Sequence, residues 1–403
     1  MKLNFLNLKQ NRIMLSILDS DLYLLSVGNS FYQLYPLADG TLTFNDRNKE
    51  VYDQEFVEQL KMEFAKLGNL KLTDEEFDWC VKNIPYIPQT YWEWLKGFRF
   101  EPNKIQINLD EEGHLHIEVT DKIYKSGFYE IPILATVSEL RNKRLGYVMN
   151  IQEMLGRLDK KIDLANEHHL KFSEFGTRRR FSAHSHEEIV KRLKERCPVY
   201  CAGTSNVYFA MKYGMTPIGT LNHLWISFHA AVFGNKRANY LSLEDWIKVY
   251  QGNLGTALTD LFGTETFLRT LTRQQALLLQ GYRIDSGDNY KIGNMIIERL
   301  KEFGIDPRTK LLVFSNALDF PKYKEIHDYF NGRIMVSAGI GTNLTCDPNI
   351  ENYKPANIVM KLTACRMSPK DPWEKCIKIS DDEGKHIGDP KEVEIAKYEL
   401  HLQ

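Results

Sequence analysis

An alternation constrains this chain more than any other feature. From about residue 131 onward, short apolar or β-branched runs (310–314, 333–337 and 358–362) are separated by helix-like stretches (138–165, 185–196, 288–303 and 321–330). Strands that recur between helices predict βαβ units, and so a parallel sheet buried on both faces. Ser185-His186-Glu187-Glu188 reads as a capping box at a helix start. Polar clusters stand just past three apolar runs. Asp285-Ser286-Gly287-Asp288 follows Gly281-Tyr282-Arg283-Ile284, Ser315-Asn316 follows Leu311-Leu312-Val313-Phe314, and Gly339-Ile340-Gly341-Thr342 follows Ile334-Met335-Val336. The carboxyl edge of a parallel sheet is where α/β proteins bind ligands. Three clusters within about sixty residues exceed what turn chemistry needs.

The first third obeys a different grammar. Tyr86, Tyr91, Trp92, Trp94, Phe98 and Phe100 crowd together, helices are predicted over 54–67 and 74–83, and 105–109 with 115–119 read as a hairpin. Turn signals at Ala38-Asp39-Gly40 and Asp371-Pro372 mark breaks. With 403 residues, 43% of them hydrophobic, the chain can bury two or three domains, or one large α/β barrel with additions. Disorder as the main state is excluded.

Charge narrows the partners. Lys and Arg number 52 against 53 Asp and Glu, a net of -1, which excludes a nucleic-acid coat or a polybasic membrane binder. An anionic ligand must therefore meet a local cluster. No stretch approaches the ~18 apolar residues of a membrane span, and Met1 to Asn11 shows no apolar signal core. The six cysteines form no CxxC pair, so neither a disulfide framework nor a cysteine zinc site is expected. A soluble, cytoplasmic protein is the expectation.

Several residues then stand out. Phe172-Ser173-Glu174-Phe175-Gly176-Thr177-Arg178-Arg179-Arg180-Phe181 carries three arginines that cannot share one face of a helix or strand. A solvated turn is the bland reading; the flanking aromatics and Gly-Thr favour an anion bearing a flat ring. Gly203-Thr204-Ser205-Asn206 suits a polar ligand edge or a helix N-cap. His223, in Gly219-Thr220-Leu221-Asn222-His223, is a catalyst or a satisfied core histidine, and for His229 the core reading wins. His184 and His186 are poorly spaced for a metal, with no partner carboxylate evident. Gly339, Gly341 and Thr342 form a plausible phosphate cradle. Lys378, Ser380 and Lys385 add cations and a hydroxyl near the end.

Taken in order, these motifs resemble the bacterial nicotinate phosphoribosyltransferase family, from Asp19-Ser20-Asp21-Leu22-Tyr23 through Lys378-Ile379-Ser380-Asp381 to Lys385. The resemblance implies a type II phosphoribosyltransferase fold: an irregular α/β barrel (136–349) joined to a mixed α+β domain built from both chain ends (1–135 with 350–403). It implies an enzyme joining nicotinate to 5-phosphoribosyl 1-pyrophosphate, coupled to ATP hydrolysis with magnesium through a phosphohistidine at His223. It also implies a homodimer whose site lies at the subunit interface and borrows a tyrosine, matched by Tyr23. Tyr23, Phe175, Arg178, Thr204 and Ser205 would then hold nicotinate. Arg179, Arg283, Ser315, Asn316, Gly339, Gly341 and Thr342 would hold phosphoribosyl pyrophosphate. Asp285 would meet the ribose or magnesium, and Lys378, Ser380 and Lys385 would meet ATP phosphates. Leu24, Leu224 and Ile284 depart from the pattern, which often has Lys, Glu and His there. Quinolinate and nicotinamide phosphoribosyltransferases, and a non-catalytic pyridine-nucleotide-binding barrel, remain alternatives. Ser205 favours the acid over the amide, because the amide-using relatives place an aspartate there.

Overall fold

The computed structural model describes residues 12–382 and 388–402. An antiparallel sheet comes from both chain ends: β1 (Asp39–Asp46), β2 (Ile105–Leu109), β3 (Leu115–Lys122), and late in the chain β10 (Ile358–Arg366) and β11 (Glu374–Lys375), in the order β11-β10-β1-β3-β2. Leu115, Ile117 and Val119 alternate inward along β3, the mark of a sheet with one covered face. The helices Gln54–Leu67 and Asp74–Asn83 have their expected bounds; Asp53 caps the first, and Thr73 with Glu76 forms a reciprocal box on the second.

A parallel sheet contains β4 (Phe172–Glu174), β5 (Cys201–Thr204), β6 (Thr256–Leu258), β7 (Gly281–Ile284), β8 (Leu311–Phe314) and β9 (Met335–Ile340), in the order β5-β4-β9-β8-β7-β6. Its open side is bridged by 216–220. Ile218 N donates to Thr204 O at 2.9 Å, and the Thr220 hydroxyl reaches Leu254 O and Thr256 O, each at 2.8 Å. The result is an irregular α/β barrel beside a separate antiparallel sheet. Among the described residues no helix is long and apolar enough to cross a membrane.

Four local expectations need correction. The run at 358–362 does not join the parallel sheet; as part of β10 it pairs antiparallel with β1, from Asp46↔Ile358 to Asp39↔Arg366. A β-branched run signals a strand but not its partner. The helix expected over 138–165 is two helices, Glu130–Arg144 and Ile151–Glu167. Gly146, at φ +70, ends one, and the Asn150 side chain caps the next by accepting from Gln152 N. The helix at 183 is capped by Ser182, with Ser185 closing the box three residues later. The turn signal Ala38-Asp39-Gly40 lies where β1 begins.

The helix Glu130–Arg144 packs against both β10 and the turn Thr177–Arg179. It is buried around its whole circumference, which is why its apolar residues show no single stripe. That position leaves Glu130, its first residue, in the seam between the two sheets.

Candidate active site

Between the barrel's carboxyl edge and the antiparallel sheet lies a cavity of about 670 Å³. Among the described residues its lining holds seven basic side chains (Arg47, Arg178, Arg179, Arg283, Lys354, Lys361, Lys378) against three acids (Glu130, Asp285, Asp382). A chain of net charge -1 therefore carries a local excess of cations here, where low-dielectric walls strengthen the pull on an anion.

His223 opens the helix His223–Phe233, capped by the Asn222 side chain accepting from Trp225 N. Its Nε2 lies 2.8 Å from Asp260 Oδ1 and 2.9 Å from Lys378 Nζ. Lys378 Nζ also lies 2.8 Å from Asp260 Oδ2, which accepts from the Ser286 hydroxyl at 2.9 Å. One ring nitrogen thus faces an acceptor-only group and a donor-only group, and it can satisfy one of them at a time. Burial and then the Lys378 ammonium push the His223 pKa down. Burial opposes ionisation of Asp260, yet His223 and Lys378 together hold its carboxyl well below the usual range. Lys378 is pinned here because the segment after β11 is bonded to the barrel: Ile379 N donates to Leu261 O, and Thr264 N donates to the Asp381 carboxylate at 2.9 Å.

Asp285 stands just past β7, with Arg283 Nη2 at 3.1 Å and the Ser315 hydroxyl bonded to it. Burial raises its pKa, and Arg283 leads the charges that bring it below the ordinary value. Arg283 Nε donates to Ser315 Oγ at 2.9 Å. Asn316 Nδ2 donates to Gly287 O at 3.2 Å, and Gly287, at φ +76, donates its N–H to Asp382. A side chain at Gly287 would be strained and would meet Ile292 at 2.7 Å. His223, Asp260 and Asp285 place ligand atoms within 4.8 Å of one another.

The arginine triplet divides. Arg178 and Arg179 line the cavity, while Arg180 turns inward, 0% exposed, with Nη1 2.7 Å from Asp19 Oδ1. Burial, then neighbouring Arg178, pushes the Arg179 pKa down to about 10. Tyr23 lines the cavity of its own chain and donates to Glu130 Oε1 at 3.1 Å.

Other expected contacts fall elsewhere. Phe175 is half-buried behind Arg283, whose guanidinium carbon lies 5.7 Å from the ring centroid. Of the Gly339-to-Thr342 run, Thr342 lines the cavity. Gly339 lies within β9, and a Cβ there would fall 2.3 Å from the Phe175 ring; one on Gly341 would fall 3.0 Å from Phe175 O. These glycines make room for Phe175. Thr204 and Ser205 are buried and do not line the cavity, because their hydroxyls donate to Glu174 Oε2 and Asp21 Oδ1, each at 2.6 Å. Ser380 lines the cavity, and Lys385 lies outside the described residues. His186 does have a carboxylate beside it, Glu174 Oε2 at 3.0 Å, in a fully buried pair. Leu24, Leu224 and Ile284 are all buried.

Sequence reasoning missed Asp260, Glu130, Arg47 and Lys361. Asp260 obeys the rule that exposed Asp285, a polar residue just past a strand, but β6 is only three residues long. Glu130, Arg47 and Lys361 carried no comparable signal; tertiary folding alone brings them to the cavity.

The nicotinate phosphoribosyltransferase (NAPRTase) family model matches residues 170–403, and the NAPRTase N-terminal domain model matches 18–138. A nicotinate phosphoribosyltransferase of Desulforapulum autotrophicum is 35% identical over 94% of this chain and 96% of its own. That of Methanosarcina mazei is 35% identical over 95% and 97%. The crystal structure of nicotinate phosphoribosyltransferase from Porphyromonas gingivalis superposes with a TM-score of 0.94 at 40% identity, covering 96% of this chain and 99% of that one. A full-length match in both sequence and fold leaves one assignment: the chain belongs to the nicotinate phosphoribosyltransferase family.

Proposed function

We propose that the cavity joins nicotinate to 5-phosphoribosyl 1-pyrophosphate, releasing nicotinate mononucleotide and pyrophosphate, and that ATP is hydrolysed in step through a phosphorylated His223. One observation carries the reading: a cation-lined cavity with a His–Asp couple in its wall. In the transfer, the ribose C1–oxygen bond to pyrophosphate breaks and the pyridine nitrogen forms a C1–N bond to the oxocarbenium-like centre. No strong base is required, so catalysis rests on positioning and on neutralising charge.

Arg178 would take the nicotinate carboxylate, with the Tyr23 ring against the pyridine. Arg179 and Arg283 would hold the pyrophosphate, and Ser315, Asn316 and Thr342 the 5′-phosphate end. Asp285, ordered by Arg283 and Ser315, would accept from the ribose hydroxyls. Ser205 no longer discriminates acid from amide, since its hydroxyl is spent on Asp21; the case for an acid now rests on Arg178.

In the coupled half, His223 attacks the γ-phosphorus of ATP, a nitrogen–phosphorus bond forms, and the bond to the departing ADP oxygen breaks. With Nε2–H held by Asp260, the lone pair lies on Nδ1 and that nitrogen attacks. The Lys378 ammonium, and Ser380 near it, would offset the added negative charge. Water then cleaves the nitrogen–phosphorus bond and phosphate leaves. The Asp260 and Asp285 oxygens suit a hard divalent cation such as magnesium, while the imidazole does not. Bound there, magnesium would supply positive charge to the phosphates.

The test is purified protein with nicotinate, phosphoribosyl pyrophosphate and magnesium, with and without ATP, scored for mononucleotide by chromatography. Nicotinamide and quinolinate replace nicotinate in parallel, and His223→Ala runs alongside. Product from nicotinate, raised by ATP in the parent and not in the variant, is expected. Product indifferent to ATP would retire the phosphohistidine, and no product from any pyridine would retire the transferase. The homodimer rests on the resemblance, and sedimentation at twice the chain mass is its test.

A further inference from the structure

At one end of the cavity three side chains from three separate elements meet. Tyr23 comes from the helix Leu22–Leu34, Arg178 from the turn Thr177–Arg179, and Glu130 opens the helix Glu130–Arg144. Glu130 is only 7% exposed, yet its carboxyl faces the cavity. Its Oε1 accepts from the Tyr23 hydroxyl at 3.1 Å and lies 3.9 Å from Arg178 Nη1. An aromatic hydroxyl, a cation and an acid therefore share one corner.

That acid is out of place for an anion site. Under the function proposed above, on which this inference rests, Arg178 takes the nicotinate carboxylate. The same guanidinium already has an acid 3.9 Å away. Two ionised carboxylates at one guanidinium repel strongly in a buried site, and the ordinary resolution is that one of them binds a proton. A nicotinamide N–H₂, in contrast, would be welcomed by an ionised glutamate, which only accepts. We infer that Glu130 sets the choice between pyridine acid and pyridine amide, and that it takes up a proton as the nicotinate carboxylate binds, its O–H then donating to the bound anion.

The surroundings make the proton affordable near neutrality. Burial is the largest influence on Glu130 and raises its pKa to about 7, against the pull of Arg178 and the Tyr23 hydrogen bond. Asp21 raises it further and Lys361, across the seam on β10, lowers it. The helix N-terminus on which Glu130 sits also favours the ionised form and is outweighed. Lys361 needs separating, because burial and then Lys378 push its own pKa down to about 7. Protonation of Lys361 in place of Glu130 is the rival source of any uptake, and the Lys361→Met arm separates the two.

The sign follows. If nicotinate requires protonated Glu130, its KM is constant below pH 7 and climbs tenfold per unit above it, about 50-fold between pH 7 and 9. Nicotinamide follows the opposite logic, so the preference for the acid shrinks as pH rises. The experiment pairs steady-state kinetics from pH 6 to 9 with calorimetric titration of nicotinate into the protein at pH 8, in buffers of different ionisation enthalpy, for the parent, Glu130→Gln and Lys361→Met. The parent should take up close to one proton per nicotinate. Glu130→Gln should take up almost none, with a KM rising less than about threefold, while Lys361→Met keeps the uptake. Uptake that survives in Glu130→Gln, or a parent KM flat from pH 7 to 9, overturns the role of Glu130 while leaving the transferase intact. A parent that neither binds nor turns over nicotinate overturns the functional reading itself, and this inference with it. Thermal midpoints separate a misfolded variant from an informative one, and Glu130→Ala, which should bind nicotinate without proton uptake, provides a second reading should Glu130→Gln misfold.

Discussion

Two histidines six residues apart on the helix His223–Phe233 each face an aspartate, and they do different things. His229 is fully buried: Nδ1 lies 2.7 Å from Trp225 O and Nε2 3.0 Å from Asp245 Oδ2. Both nitrogens have an acceptor, so the ring is saturated and serves packing. His223, at the helix start, turns one nitrogen toward both Asp260 and Lys378 on the cavity wall. The pair itself does not mark a site. What marks it is a competing partner and an opening toward a ligand.

The largest expected effect breaks that comparison directly. His223→Ala should abolish the response to ATP and lower the ATP-supported rate about 10³-fold, about 4 kcal/mol in the barrier, with the thermal midpoint moved by less than about 2 °C. Single-turnover assays and calorimetric melting read the two halves. A large fall in the midpoint would mean that His223 is as structural as its neighbour.

A second contrast lies within the arginine triplet. Arg180→Ala leaves Asp19 uncompensated in the interior and should cost about 3 kcal/mol of stability, read by urea unfolding. Arg179→Ala should leave stability within about 0.5 kcal/mol and raise the KM for phosphoribosyl pyrophosphate about tenfold, about 1.4 kcal/mol. Equal behaviour of the two variants would remove Arg179 from the binding role.

These contrasts show what the sequence could and could not disclose. Period and punctuation were enough for the βαβ alternation and for Asp285 and Ser315 past their strands. That Arg180 turns inward while Arg178 and Arg179 line the cavity was not legible from local pattern, because it depends on where Asp19 lies, some 160 residues away. Nor was the membership of β10, whose partner β1 is more than 300 residues earlier. Where the Thr204 and Ser205 hydroxyls go was not legible for the same reason: a hydroxyl's partner is set by tertiary contact, and here Glu174 and Asp21 accept from them. Glu130 and Lys361 lie amid apolar runs that local patterns read as core.

His229→Ala is expected to cost about 2 kcal/mol, because it removes one buried partner from Asp245, which keeps Tyr35, and one from Trp225 O, and to leave the ATP response intact. Equilibrium unfolding and the ATP-coupled assay read the two effects separately. Loss of the ATP response without loss of stability would place His229 in the coupling machinery.

The smallest effect concerns the third member of each couple. The Tyr35 hydroxyl donates to Asp245, as Lys378 donates to Asp260. Tyr35→Phe removes one donor from an acid that keeps His229 and is half-exposed to water, so about 1 kcal/mol of stability should be lost and nothing of the rate. Lys378→Met removes the cation that holds Asp260 ionised and competes for His223 Nε2. Asp260 then titrates at higher pH, so the ATP-coupled rate should begin to fall at a higher pH on the acid side. Because Lys378 no longer disfavours the protonated imidazole, the His223 pKa should rise as well, moving the same limb in the same direction. A pH–rate profile of Tyr35→Phe that shifts as much as that of Lys378→Met would show that the two couples differ in exposure alone and not in the work they do.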